Sequence, residues 1–262
     1  MDIIVCVKHV PDTTEAEVVI TEDGKSIKTE DMPFVINEWD EYAVEEAILI
    51  KERLGGTVTA VTVGPEEADA TLRRCLAKGA DRAIRISDEA LEGSDGYAIA
   101  KALHSLIKDM QFDLILTGAQ ASDDGYGVVG VALAEMLGIP HAALVKKIEL
   151  KDGSAVVHRE LEGGLEEVLE VKLPALFTIQ TGINEPRYVS IMGIRRARAK
   201  ELKVLGLADL GLGAGEVGVE GSWLRIQRLY TPPPKKQATI LQGSPSDVAA
   251  QLAEILKSRG LV

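Results

Sequence analysis

Short apolar runs alternate with amphipathic segments in the first half of the chain. Residues 2–7 form a continuous run of mostly β-branched side chains, which is typical of a strand buried on both faces. Residues 42–54 carry apolar side chains at helical spacing and end at Gly55 and Gly56, a pair that terminates helices. The chain therefore opens with a predicted strand, and a predicted helix follows.

The same alternation continues to residue 137. Predicted strands at residues 58–63, 83–86 and 113–116 alternate with predicted helices at residues 66–78, 94–107 and 127–137, and Ser94 is the predicted cap of the helix that it begins. Strands that alternate with helices of this length form βαβ units. We predict an α/β fold with a doubly wound parallel sheet, Rossmann-type and similar to that of the adenine nucleotide alpha hydrolases.

The rhythm changes after residue 145. Short strands are predicted at residues 147–150, 155–160 and 167–171, separated by Asp152-Gly153 and Gly163-Gly164. This pattern indicates a β-hairpin addition, after which Ala175–Ile179 can return to the sheet.

The C-terminal part is rich in Gly, Leu and Pro, with three prolines at 232–234 and an amphipathic helix at Pro245–Ser258. We therefore expect a nucleotide-binding domain at residues 1–205, which includes the hairpin, and an extended arm with a helix at residues 206–262. The arm either crosses the surface of the domain or wraps a partner, and a partner is favoured because the arm has little of its own against which the amphipathic helix could pack.

Composition narrows the classes of partner. The 262 residues carry a formal net charge of −12, and only 4% are aromatic, so most of the surface repels nucleic acid and offers few rings for base stacking. Cys6 and Cys75 lie in apolar runs and are predicted to be buried thiols. There is no secretory leader and no apolar run of membrane-spanning length, so we expect a cytoplasmic protein without a transmembrane segment.

Candidate chemistry concentrates after the strand that ends near residue 117. Gly118, Gly125, Gly127 and Gly130 cluster where this strand leads into a helix, and a helix N-terminus binds phosphate through unpaired N–H groups. In a doubly wound sheet, ligands bind outside the carboxyl ends of the strands. The alternative is a flexible loop in which glycines serve tight turns. Neither GxGxxG after the first strand nor GxxxxGK[ST] is present.

Catalytic and metal-binding patterns are missing from the sequence. The four histidines show no HExxH spacing, the cysteines form no CxxC pair, and Ser122 lies in no GxSxG motif. Asp123 and Asp124 lie beside a helix start, where carboxylates act more often as caps than as acids or bases. The sequence thus favours binding over bond-making chemistry, with no catalytic residue assigned.

Five segments occur in the order and at the spacing of one family: residues 37–47 (NEWDEYAVEEA), 118–124 (GAQASDD), 159–165 (RELEGGL), 172–178 (KLPALFT) and 184–188 (NEPRY). Over essentially its whole length, the chain resembles the β subunit of electron transfer flavoproteins. The resemblance implies a heterodimer whose α subunit carries the electron-transferring FAD, while β holds either AMP or a second FAD. The chain would then be an electron carrier, which oxidises NADH only in the electron-bifurcating type.

The resemblance also implies positions that contact the β-subunit nucleotide. In this chain they are Cys6, Asn37, Glu38, Trp39, Asp40, Val63, Gln120, Ala121, Ser122, Asp123, Asp124, Gly125, Tyr126, Gly127, Val128, Val129, Gly130 and Val131. Asp40 and Val129 are similar to the bifurcating type, which favours FAD over AMP. Two departures from the family pattern are Glu38-Trp39, where proline and an aromatic residue are usual, and Ala119, where a cation is usual.

Further positions are implied to contact protein partners. These partners are the α subunit, acyl-CoA or other dehydrogenases, and a quinone- or ferredoxin-linked oxidoreductase. Residues 184–200 match a recognition loop with an apolar anchor at Ile191 or Met192 and cations that include Arg195 and Arg196, and Glu160 matches an acid that pairs with an arginine of α.

Two other classes share a similar α/β core. A PP-loop ATP pyrophosphatase needs an SGGxDS-like loop after the first strand, and residues 8–12 (KHVPD) offer none. A stand-alone nucleotide-binding protein of the universal-stress type does not account for the hairpin, the basic stretch and the C-terminal arm.

Overall fold

The computed structural model describes residues 1–14, 16–233 and 238–262. These residues form two compact units, Met1–Gln227 and Arg228–Val262. Of the three prolines singled out in the sequence, Pro234 lies outside the described residues. No helix in the described ranges is long and apolar enough to cross a membrane.

Eleven strands lie in the first unit: β1 (Asp2–Cys6), β2 (His9–Pro11), β3 (Phe34–Ile36), β4 (Thr57–Val63), β5 (Arg82–Ile86), β6 (Leu114–Gly118), β7 (His141–Lys151), β8 (Ser154–Leu161), β9 (Leu165–Lys172), β10 (Ala175–Ile179) and β11 (Leu202–Leu205). Nine of them form one sheet in the order β11-β5-β4-β1-β6-β10-β7-β8-β9, and β2 pairs with β3. The strands from β11 to β7 pair in parallel, whereas β7, β8 and β9 are antiparallel.

The helices are α1 (Glu38–Leu54), α2 (Asp69–Lys78), α3 (Gly96–Ile107), α4 (Val129–Leu137), α5 (Ile191–Ala197), α6 (Gly218–Gly221) and α7 (Pro245–Ser258). The prediction that Ser94 caps α3 is wrong. Asp95 has the extended backbone that directly precedes Gly96, and its side chain accepts a hydrogen bond from the N–H of Ala98 at 2.9 Å. The hydroxyl of Ser94 instead accepts from the N–H of Gly218.

Two apolar clusters cover the two faces of the sheet. Alternate residues of β1 enter opposite clusters: Ile3 and Val5 pack with α1 and α2, while Ile4 and Cys6 pack with α3 and α4. The doubly wound α/β prediction is thereby confirmed. Cys6 and Cys75 are buried as expected, and burial raises the pKa of each thiol to about 12.

The antiparallel addition is longer than the sequence indicated. β7 and β8 meet at a turn in which Gly153 has a φ of +72°, and β8 and β9 are joined through Gly163 and Gly164, which also have positive φ. β10 then returns between β6 and β7 and runs parallel to both.

Residues beyond 205 still pack on the first unit. Leu207 and Val217 are buried in the cluster beneath α3, and the unit continues to Gln227. In the second unit, α7 is capped by Ser244, whose hydroxyl receives the N–H of Asp247, and none of the residues of α7 is buried. The packing of residues 206–262 on a partner stays a prediction.

Candidate functional site

A cavity of about 780 Å³ lies at the carboxyl ends of β1, β4 and β6. Its volume is in the upper part of the range of ligand pockets, which is roughly 300–1,000 Å³. Its walls come from the strand ends, the loop before α3, the loop before α4 and a segment that follows α6. The lining includes Cys6, Lys8, Lys25, Asn37, Asp40, Val63, Asp95, Gln120, Gly127, Leu224 and Arg225.

The carboxylate of Asp40 joins three segments around the cavity. From the first turn of α1, its Oδ2 accepts the N–H of Lys8 after β1 at 2.7 Å, and its Oδ1 accepts the N–H of Gly118 at the end of β6 at 2.8 Å. Burial raises the pKa of Asp40 to about 7, although the two backbone hydrogen bonds favour the ionised form. A Cβ on Gly118 would lie 2.3 Å from this carboxylate, so the position requires glycine.

The side chain of Asn37 fixes the loop between β6 and α4. Its Nδ2 donates to the carbonyl of Gln120 at 2.8 Å, and its Oδ1 accepts the N–H of Ser122 at 3.0 Å. Further along, Gly127 has a φ of +64°, and a Cβ there would lie 3.1 Å from the carbonyl of Ala119. Val128 precedes α4 without capping it, so the described residues supply no side-chain cap to this helix N-terminus.

Lys8 closes the same loop from the opposite side. Its Nζ lies 2.7 Å from Asp123 Oδ1 and 2.8 Å from Asp124 Oδ2. Burial lowers the pKa of Lys8, but the two carboxylates raise it by more, so the ammonium stays charged. The cation thus partly offsets the two acidic groups of the loop that leads into α4.

The structure gathers twelve of the eighteen predicted nucleotide-contacting residues around this cavity. They are Cys6, Asn37, Asp40, Val63, Gln120, Ala121, Asp124, Tyr126, Gly127, Val128, Val129 and Gly130. The other six, which are outside the lining, are Glu38, Trp39, Ser122, Asp123, Gly125 and Val131. Trp39 instead donates its ring N–H to Gln180 at 2.8 Å, and Gln180 donates to Glu160 at 3.1 Å.

Two parts of the lining were not anticipated from the sequence. One is the run of residues 93–96 before α3, and the other includes Val219 and residues 224–226 after α6. Lys8 lies at one of the strand ends where the sequence predicts ligand binding, but no contact was predicted for its side chain. Residues 219–226 carry no motif, so nothing in the local sequence marks them as part of a cavity.

A second candidate surface surrounds the short helix α5. Ile191 and Met192 are 75% and 60% exposed, and the neighbouring Arg195, Arg196 and Arg198 are exposed as well. The ammonium of Lys200 is not part of this group of exposed cations. Its Nζ donates to the carbonyls of Leu76 and Ala80 at the end of α2, and its pKa is lowered by burial.

The surface around α5 is fastened at both of its ends. Arg73 on α2 donates to the carbonyls of Ala197 and Lys200, which mirrors the contact of Lys200 with the end of α2. At the other end, the guanidinium of Arg187 bonds Glu45 and Glu52 on α1. Cations near the carbonyl end of a helix stabilise it. Arg73 therefore stabilises the C-terminal end of α5, and Lys200 stabilises the C-terminal end of α2.

Comparison with known proteins identifies close relatives. Residues 26–210 match the model of the electron transfer flavoprotein domain. The chain is 42% identical over 260 residues to electron transfer flavoprotein subunit beta of Methylophilus methylotrophus, covering 98% of both chains. The identity is 42% over 263 residues with the protein of the same name from Bacillus subtilis, covering both chains completely. It is 37% over 265 residues with the caffeyl-CoA reductase-Etf complex subunit CarD of Acetobacterium woodii, again covering both chains completely.

The raised pKa of Asp40 predicts a pH dependence of stability. The native state binds a proton on this carboxyl up to about pH 7, whereas the unfolded chain releases it near the ordinary aspartate pKa of 3.8. The stabilisation is therefore fully present below the unfolded pKa and is lost as pH rises through the folded pKa. Between about pH 5 and about pH 8, the free energy of unfolding should fall by about 2 kcal/mol through this group.

The measurement is urea unfolding across that pH range, with Asp40→Asn as the reference. The asparagine cannot titrate, so subtracting its pH profile isolates the carboxyl. A difference between the two proteins that does not change with pH would show that Asp40 keeps an ordinary pKa.

Proposed function

We propose that this chain holds an adenine nucleotide in the cavity at the carboxyl ends of β1, β4 and β6 and that it pairs with an α subunit. The reason is that the chain belongs to the electron transfer flavoprotein family as a β subunit. The family resemblance noted in the sequence is confirmed. The chain therefore acts in electron transfer. Full-length matches to β subunits favour this function over an ATP pyrophosphatase or a stand-alone nucleotide sensor.

The observation that carries the proposal is the loop at residues 118–130 standing over the strand ends. Its glycines bring backbone close to the cavity, and it leads directly into the uncapped N-terminus of α4, where a phosphate group is stabilised by N–H groups and the helix dipole. Apolar side chains such as Val63, Ile99 and Leu103 supply walls suited to an adenine ring. The residues present thus fit an adenine nucleotide.

Three observations support FAD over AMP as this nucleotide. The cavity is large, and it continues past the glycine loop to residues 224–226. Asp40 and Val129, the positions similar to bifurcating β subunits, both line it. One relative is named as a subunit of a reductase-Etf complex. Bound FAD would supply hydride and single-electron chemistry, with NADH oxidation in a bifurcating complex.

This chain's own contribution is binding and positioning. Asp40, Asn37 and Lys8 hold the loop in the shape that receives phosphate, and the buried thiol of Cys6 stays neutral because its pKa is raised. Glu38, Trp39, Ser122, Asp123, Gly125 and Val131 would act from outside the lining, through the loop and through the network from Trp39 to Glu160. Glu160 would pair with the α subunit.

The glycine loop can be tested with a matched pair of variants. Gly127 and Gly125 have nearly the same positive φ, so a side chain strains both backbones equally, but only Gly127 has backbone within 4 Å of the added Cβ. Gly127→Val should therefore lower the nucleotide content of the purified heterodimer more than Gly125→Val. The measurement is chromatography of the nucleotides released on denaturation. If the two variants retain equal amounts of nucleotide, the nucleotide site does not lie at this loop.

We assign the surface around α5 to docking of redox partners. Exposed apolar side chains beside cations, in a protein of net charge −12, suit an anchor that fills a pocket while the rim charges steer encounter. By its resemblance, this surface would receive an acyl-CoA or other dehydrogenase, or a quinone- or ferredoxin-linked oxidoreductase. Met192 lies beside the anchor Ile191, and Arg195 and Arg196 form the rim.

The anchor and the rim charges are separable in kinetics. Ile191→Ala should cost about 1–3 kcal/mol of partner affinity, whereas Arg196→Glu should mainly slow association and flatten its salt dependence. Leu54→Ala, at an exposed position at the far end of α1, is the control. Stopped-flow electron transfer to the partner across a salt series measures both effects. If both variants transfer electrons to the partner at the rate of the control, this surface has only a structural role.

The second unit would attach the chain to the α subunit. Its helix α7 buries no residue, and Leu252, Leu261 and Val262 are exposed. Removing residues 228–262 should weaken co-purification with α, while the circular dichroism of the remaining unit is retained. A truncated chain that co-purifies with α as fully as the intact chain would refute this role.

A further inference from the structure

The segment Ser222 to Ile226, here termed the strap, is fastened to the rim of the cavity by one carboxylate. Asp95 Oδ2 accepts the N–H groups of Trp223 and Leu224, both at 2.8 Å. The N–H of Asp95 donates in turn to the hydroxyl of Ser222 at 2.8 Å. Because the same side chain caps α3 through the N–H of Ala98, the strap is tied to a helix start that packs in the core.

A ring stack adds to this attachment. The ring of Trp223 lies on that of Tyr97, with centroids 3.9 Å apart and planes inclined by 16°. Just before the strap, Gly218 has a φ of +63°, and a Cβ there would come within 2.3 Å of the carbonyl of Ala90. The strap is thus held in one place by backbone, side-chain and aromatic contacts.

The strap presents a cation to the cavity. Leu224, Arg225 and Ile226 all line it, and Arg225 is exposed. The ion pairs formed within the described ranges do not include Arg225. A guanidinium that lines a ligand cavity without a carboxylate partner is suited to bidentate contact with phosphate.

The position of this cation separates it from the glycine loop. The loop and the start of α4 already offer N–H groups for one phosphate, whereas Arg225 comes from a different wall of the cavity. We propose that Arg225 binds the second phosphate of a dinucleotide and makes the site select FAD over AMP. This inference rests on the nucleotide site proposed above. Asp95 is the positioning residue, since it holds the backbone that carries Arg225.

The test compares three variants of the heterodimer: Arg225→Gln, Arg225→Lys and Arg82→Gln. Arg82 is exposed at the start of β5 and does not line the cavity, so it controls for loss of one surface charge. FAD and AMP bound to each complex are measured by equilibrium dialysis. FAD bound by the α subunit contributes equally to all variants, so differences between them report the site in this chain.

Arg225→Gln should bind FAD about tenfold more weakly while AMP affinity is unchanged, because AMP has no second phosphate to lose. Arg225→Lys should recover part of the FAD affinity, and Arg82→Gln should match the wild type. Wild-type FAD affinity in Arg225→Gln, or an equal loss of AMP affinity, would overturn the inference and leave the nucleotide site intact. A wild-type complex in which this site retains neither nucleotide would instead overturn the proposed function itself.

Discussion

The buried carboxylate of Asp40 is the contact on which the geometry of the cavity depends. It accepts one N–H from the end of β1 and one from the end of β6, and it is itself fixed on the first turn of α1. Both partners are donors, so only a group with two acceptor oxygens satisfies them without leaving a buried N–H unpaired. This single side chain sets how far the glycine loop stands from the strand beside it, and the other contacts of the loop build on that distance.

Charge is arranged differently on the two candidate surfaces. In the cavity, Lys8 is paired with Asp123 and Asp124, so at the glycine loop the contacts offered to a phosphate are backbone N–H groups, whereas Arg225 on another wall forms no ion pair within the described residues. Around α5, Arg195, Arg196 and Arg198 are exposed, whereas Lys200 and Arg73 form hydrogen bonds that join α5 to α2. The proposed docking surface is therefore held by hydrogen bonds to α2, which would keep its apolar anchor in place before a partner binds.

Local sequence patterns located most strands of the sheet, because strands such as β1 and β10 are largely apolar runs and because α1, α2 and α4 end at glycine. They also located the loop at residues 118–130, since ligand sites of such sheets lie at strand ends. They could not reveal β11, which is only four residues long and lies at the sheet edge, or the true role of Lys200. The strap was also beyond reach, because Asp95 and Trp223 are brought together only by the folded chain.

The most direct test of the central claim is the nucleotide inventory of the native heterodimer. The complex is purified from its source, denatured, and its FAD and AMP are quantified against the protein. A cavity that holds FAD predicts flavin in excess of what the α subunit alone carries, and the excess should disappear in Gly127→Val. Adenine nucleotide that does not exceed the content of the α subunit would contradict a nucleotide site in this chain.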